Sequence, residues 1–161
     1  MDQWTRRLIG LGLVVAANVA PWAAGRLSAS RFNLPLDFGA TLRDGSRLFG
    51  DHKTWRGLLA GVLCCALAAQ LLGRGYALGL AFGALSLAAD TASSFAKRRL
   101  RVAPGYELPL LDQLPEALLP LTVLSRPLQL GLLECFGVAF VFSLLDLATA
   151  RLRHKRDGPT H

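Results

Sequence analysis

Three residues near the middle of the chain have the types and spacing to act on a phosphate. Asp90, Ser94 and Lys97 stand at i, i+4 and i+7, so on a helix one face carries a carboxylate, a hydroxyl and an ammonium group. Asp90 would lie about 10 Å up that helix from Lys97, at ~1.5 Å of rise per residue. A carboxylate at that depth in an apolar run is costly, so it should face a polar cavity or a cation. After a connector with Pro104, Gly105 and Pro109, the chain offers Asp112 and Gln113. The two aspartates stand on helices joined by one short loop and can approach each other at that end. Two hard oxygen ligands opposite a basic cluster suit Mg²⁺, which is usually held by one or two carboxylates plus substrate phosphates. A salt bridge, Asp90 to Lys97 or Asp112 to an arginine, is the competing account.

The basic cluster lies upstream, between residues 33 and 57. Arg43, Arg47, Lys53 and Arg56 supply donors for phosphate oxygens. Glycines at 39, 45, 50 and 57 permit tight turns and close approach of backbone to a ligand. A segment that only touched anionic headgroups would have no use for the interleaved Asp37, Asp44 and Asp51. It is not a Walker loop, since Lys53-Thr54 follows Asp51-His52 and not the required glycine.

The elements that must position these residues are apolar. Of the 161 residues 52% are hydrophobic, which excludes disorder. The mean hydropathy is +0.37 and the net charge +7. The apolar residues sit in long blocks with the basic residues between them, which argues against a soluble nucleic-acid binder and for a polytopic membrane protein. Spans are expected at about 8–25, 57–73, 76–95, 110–124 and 128–150. The fourth, broken by Pro115 and Pro120, would cover only roughly 22 Å. The expectation is an all-α, five-helix transmembrane protein, one integral domain over 1–161, with two functional loops on one side. That side would hold fourteen lysines and arginines against four (Arg6, Arg7, Arg74, Arg126) on the other. The positive-inside rule then places the loops and C-terminus in the cytoplasm, and the N-terminus outside the inner membrane. Reading the first block as a cleaved signal peptide would leave the basic 26–56 segment outside, against this bias.

Other candidates point less clearly to chemistry. Glu134 and Asp146 read as buried polar contacts or as residues snorkelling toward each surface. Cys64, Cys65 and Cys135 lack metal or redox spacing and read as small packers. His52, His154 and His161 form no metal motif.

Several motifs in register resemble the CDP-archaeol synthase family, over roughly residues 33–115. They are Asp37-Phe-Gly, Arg43-Asp-Gly, Arg47-x-Phe-Gly-Asp-x-Lys-Thr-Trp-Arg-Gly57, Asp90-x₃-Ser-Phe-x-Lys-Arg-Arg99 and Leu111-Asp-Gln113. That family comprises five-span membrane cytidylyltransferases related to the phosphatidate cytidylyltransferases. The resemblance implies transfer of CMP from CTP to a lipid phosphomonoester, with Mg²⁺, giving CDP-lipid and pyrophosphate. It implies Asp90 and Asp112 as metal ligands and Lys97 in the catalytic set. It puts Arg43, Asp44, Arg47, Gly50, Lys53, Thr54, Arg56, Ser94 and Arg98 around the nucleotide. Ala88-Ala89 and Ala96 depart from the family's usual residues. The pattern of the CDP-alcohol phosphotransferases is missing.

Elementary chemistry agrees with that implication. A phosphomonoester has a second pKa near ~6, so its dianion is a usable nucleophile at neutral pH and needs no strong base. The obstacle is repulsion between anions, which Arg, Lys and metal ions relieve. A small anion or lipid-phosphate transporter is the alternative reading of the same basic cavity, and a membrane scaffold a third. No nucleic-acid partner is expected.

Overall fold

The computed structural model describes residues 1–28, 31–43, 45, 47–50, 53–100 and 109–157, without the side chains of 109–112 and 150–157. Asp2 starts the first helix, its Oδ1 accepting the Thr5 backbone N–H at 2.8 Å in the manner of an N-cap. Helix α1 therefore runs Gln3–Ser28 and takes in Arg6 and Arg7 ahead of the apolar block. Thr54, with extended backbone, caps α2 (Trp55–Leu71) by accepting the Gly57 N–H. Gly73 and Gly75, at φ of +68° and +82°, turn the chain sharply into α3 (Tyr76–Arg99). Beyond it come α4 (Pro109–Val123), the single turn α5 (Ser125–Leu128) and α6 (Leu132–Asp157).

The last apolar block thus begins its helix four residues later than its hydropathy indicates. Gln129 adopts a left-handed φ of +57°, and the Gly131 N–H donates to Glu134 Oε2 at 2.8 Å, so α6 starts after that turn. Glu134 is a helix-start residue paired with Arg7, Nε to Oε1 at 2.9 Å. Around it, Arg6 donates to the Gln129 carbonyl and Arg74 to the Leu128 carbonyl, at 3.2 and 2.9 Å. Three of the four basic residues assigned to the minority side are therefore bound into the end of the bundle remote from the 31–54 segment.

The long helices close into a ring: α1 packs on α2 and α6, α2 on α3, α3 on α4 and α4 on α6. Leu13, Cys65, Phe82, Leu121, Cys135 and Ala139 fill its centre with no exposed surface. The Cys65 and Cys135 thiols donate to the carbonyls of Leu13 and Leu121, so both are core packers as the sequence indicates. Large apolar side chains also cover the outside, among them Leu63, Leu67, Leu133, Phe136 and Phe140, each more than half exposed. Gln3–Ser28, Tyr76–Arg99 and Leu132–Thr149 are long and apolar enough to cross a membrane, and Trp55–Leu71 is a shorter apolar helix. No strand occurs among the described residues, only the isolated bridges Pro35–Thr54 and Thr41–Arg47.

Candidate active site

The segment between α1 and α2 is organised by one carboxylate. Asp37 Oδ1 accepts the Gly39 N–H at 3.1 Å and Arg47 Nη2 at 2.6 Å. Its Oδ2 accepts Arg47 Nε and the N–H groups of Phe49 and Gly50, at 3.3, 3.1 and 3.3 Å. Its side chain is 1% exposed. The Arg47 guanidinium, followed by the three backbone donors, holds this carboxyl well below the usual carboxylate range against the opposing effect of burial. A depressed pKa stabilises the folded state above the ordinary value and gives that up only as pH falls through the lowered one. The loop is thus fully clamped at neutral pH and loosens only in strong acid.

The two ends of this loop are tied together. Leu36 N–H donates to the Lys53 carbonyl at 2.8 Å, and Trp55 N–H to the Leu34 carbonyl at 3.0 Å. Lys53 leaves this short ladder pointing at α3, where Nζ donates to both oxygens of Asp90, at 2.6 and 2.5 Å. The cation on Asp90 is therefore Lys53, 37 residues away in sequence, and not Lys97 on its own helix. Both side chains are about a quarter exposed, 24% and 25%, because they face a cavity of about 230 Å³. Asn18, Pro21 and Trp22 of α1 wall this cavity, with Lys53, Thr54 and Leu58 around the start of α2, Leu87 and Asp90 of α3, and Glu116 of α4.

Most of the other expected site residues fall into two groups. Thr54, Ser94 and Lys97 stay near the Asp90 end: Thr54 caps α2 at the cavity wall, Ser94 is buried one turn after Asp90, and Lys97 is half-buried. Arg47 and Arg56 hold the loop, and Arg98 lies beside it. Arg47 grips Asp37, and Arg56 donates to the Arg31 carbonyl at 2.7 Å and to Asn33 Oδ1 at 3.3 Å. Arg98 lies against Gly50, where an added Cβ would stand 2.9 Å from Nη2 and φ is +94°. Gly50 is therefore needed for its backbone conformation, while the Arg98 tip beside it could shift to admit a Cβ. Arg43 is exposed on the loop surface. Asp44 and the side chain of Asp112 lie outside the described residues, though Asp112 stands on α4 one turn before Glu116.

Glu116 and the α1 wall are absent from the sequence expectation. Glu116 is 8% exposed and shares the cavity with Asp90 and Lys53. Its signal was its position four residues after Asp112, on the same helix face. The α1 wall had no such signal, because it depends on helix approach: a Cβ on Gly61 would meet the Ala17 carbonyl at 3.2 Å and Pro21 Cγ at 3.3 Å. Asp90 and Glu116 are carboxylates lining one cavity, the ligand type Mg²⁺ takes. Both Asp90 oxygens here accept Lys53 Nζ, so an ion would have to replace that ammonium group. Among the described residues no three His, Cys, Asp or Glu side chains gather. An ion there would complete its shell with substrate oxygens.

The CarS-like family model, described as CDP-archaeol synthase, matches residues 32–75 and 73–150. A CDP-archaeol synthase from Thermofilum pendens is 44% identical over 103 residues, 61% of this chain and 50% of the relative. Another, from Pyrobaculum calidifontis, is 40% identical over 156 residues, 88% of this chain and 89% of the relative. The chain spans about half the length of the T. pendens and Pyrococcus furiosus relatives it matches, 50% and 53%. A solved structure of an intramembrane enzyme of archaeal membrane lipid biosynthesis superposes with a TM-score of 0.71 at 32% identity, covering 86% of this chain and 90% of that one. An all-helical membrane architecture and the matched motifs lead to one assignment: the chain belongs to the CDP-archaeol synthase family.

Proposed function

We propose that this protein is a membrane cytidylyltransferase that uses CTP to convert a lipid phosphomonoester into a CDP-lipid. The observation that carries the reading is the Lys53–Asp90 pair inside a cavity walled by four helices, with basic side chains crowding the loop beside it. A phosphate oxygen of the lipid attacks the α-phosphorus of CTP, a P–O bond forms there, and the bond to the β-phosphate breaks to release pyrophosphate. Lys53 attracts phosphate oxygens to the mouth of the site, and Arg43, Lys97 and Arg98 add positive charge around it. Asp90, Glu116 and Asp112 would hold Mg²⁺, which when bound neutralises phosphate charge and steadies the in-line geometry. Ala17, Pro21 and Trp22 give the α1 wall an apolar side along which the lipid's tails stay in the bilayer while its phosphate meets the cavity. The relatives' name points to an archaeol-type lipid.

The test is purified protein in detergent with Mg²⁺, CTP labelled in the α-phosphate, and a panel of ether- and ester-linked lipid phosphates. Label in the lipid product supports the reading, and counterflow of lipid phosphate without covalent transfer replaces it with a transporter. Within the same assay, Lys53→Ala lowers kcat/KM for CTP by an amount equivalent to about 1.5–3 kcal/mol, the value of a charge-assisted contact. Unchanged CTP use by that variant would leave the segment as a topology signal only.

The sidedness belongs to the same reading: five spans, N-terminus out, loops and C-terminus in the cytoplasm. Single cysteines at positions 46 and 160, in a background free of the native three, are expected to react only with reagent admitted to the cytoplasm. Labelling of position 46 from outside intact cells would overturn it.

A further inference from the structure

Neither Lys53 nor Gly50 is placed by a helix of its own. Both belong to the loop, yet one must reach Asp90 on α3 and the other must receive Arg98. We propose that Asp37 is the positioning residue of this site, a carboxylate that never touches substrate but sets where Lys53 and Gly50 come to rest. It gathers five donor contacts: Gly39 N–H, two from Arg47, and the N–H groups of Phe49 and Gly50. Two of these fix the backbone just before Lys53, whose own N–H donates to the Gly50 carbonyl at 3.3 Å. Its neighbour Leu36 pairs with Lys53 directly. Asp37 therefore constrains the lysine from both strands of the loop, and the loop holds Lys53 Nζ within 2.6 Å of Asp90.

The arrangement demands an acceptor on both oxygens. All five contacts are donors, so an ionised carboxylate satisfies them and an isosteric amide cannot. Asparagine would turn an NH₂ group toward either the Phe49 and Gly50 N–H groups or the Gly39 N–H, with the guanidinium facing it in both cases. The hydrophobic core is untouched, because Asp37 lies in the loop and not among the packed helices.

The role of Asp37 rests on the proposed function only for its effect on CTP, so the test has one substrate-free arm. Zero-length carbodiimide coupling in the full-length protein in detergent is expected to join Lys53 to Asp90, read by peptide mass spectrometry. Asp37→Asn should lower that yield at least five-fold at a temperature well below the variant's own melting transition, where the helices stay folded by circular dichroism. An equal yield in wild type and variant overturns the proposal, whatever the protein does to CTP. The second arm is a double-mutant cycle with Lys53→Ala, reading CTP affinity by calorimetry. Asp37→Asn should raise Kd for CTP about ten-fold in the wild-type background and less than two-fold beside Lys53→Ala. Equal losses in both backgrounds would make Asp37 a general stabiliser and overturn the role. Loss of the cross-link in a protein that binds no CTP even as wild type refutes the cytidylyltransferase reading and leaves the positioning intact. Should Asp37→Asn fail to fold, Arg47→Gln weakens the same carboxylate's contacts from the other side and carries the same expectations.

Discussion

Asp90→Asn is expected to reduce CDP-lipid formation by two orders of magnitude or more while the helical bundle stays folded. The substitution keeps the shape of the side chain and removes its charge. Loss of a single preorganised electrostatic group at a reacting centre typically costs ~10²–10³ in rate. The stability cost is much smaller. The pair with Lys53 is about a quarter exposed on both sides, and partly solvated ion pairs contribute about 1 kcal/mol or less. Mg²⁺-dependent turnover and thermal melting, followed together in detergent, separate the two roles. If melting falls first and turnover only in proportion, Asp90 is a structural anchor for Lys53. Asp112→Asn and Glu116→Gln follow the same logic, and near wild-type turnover in either removes that carboxylate from the site.

Gly79→Leu is expected to give no folded protein, and even Gly79→Ala to lose about 3 kcal/mol. A Cβ at this position would lie 2.2 Å from the Cys65 carbonyl oxygen, 2.6 Å from Ala66 Cα and 2.7 Å from Ala69 Cβ. Two of those three atoms are backbone, so no side chain can swing aside and α3 must separate from α2. Overpacking usually costs about 1–3 kcal/mol where side chains can adjust, and alanine's helix preference returns only ~1. Close small-residue contacts of this kind are what hold apolar helices together where no water drives them. Gly137→Ala in α6 is the control: nothing lies within 4 Å of its Cβ, so stability should hold or rise. Equal melting temperatures for the Gly79→Ala and Gly137→Ala proteins would show that the α2–α3 contact yields.

The elements were legible because hydropathy and turn chemistry are local. The apolar blocks became helices α1, α2, α3, α4 and α6, and the segment marked by its carboxylates and arginines became the loop beside the cavity. What the chain does not display is pairing across distance. Nothing near Asp90 singles out Lys53 over Lys97, because helical spacing defines a face and says nothing of what a distant loop delivers to it. Asp37 and Arg47 were visible as charges of opposite sign, but the choice between binding substrate and binding each other depends on turns at Gly39 and Gly50. Glu116 was obscured by the prolines on either side of its block, which drew the reading toward a weak span. Arg6, Arg7 and Arg74 looked like residual charge, and their partners are mostly carbonyl oxygens, which composition cannot reveal.

Helix α2 has 17 residues and α1 has 26, roughly 25 Å against 39 Å at ~1.5 Å per residue. A hydrocarbon layer of ~30 Å is thicker than the first and thinner than the second, so the bilayer meets this protein as an uneven wall. A bilayer of that thickness would thin by several ångströms around α2, at a cost of fractions of a kcal/mol for each, while the excess length of α1 is its charged ends, with Arg6, Arg7 and Arg26. Lys53 and Thr54 stand at the start of that short helix, with Thr54 as its cap. Such thinning would bring headgroup phosphates down toward the cavity and let a lipid enter it sideways. Elastic strain in the host membrane would then be part of the work of substrate delivery.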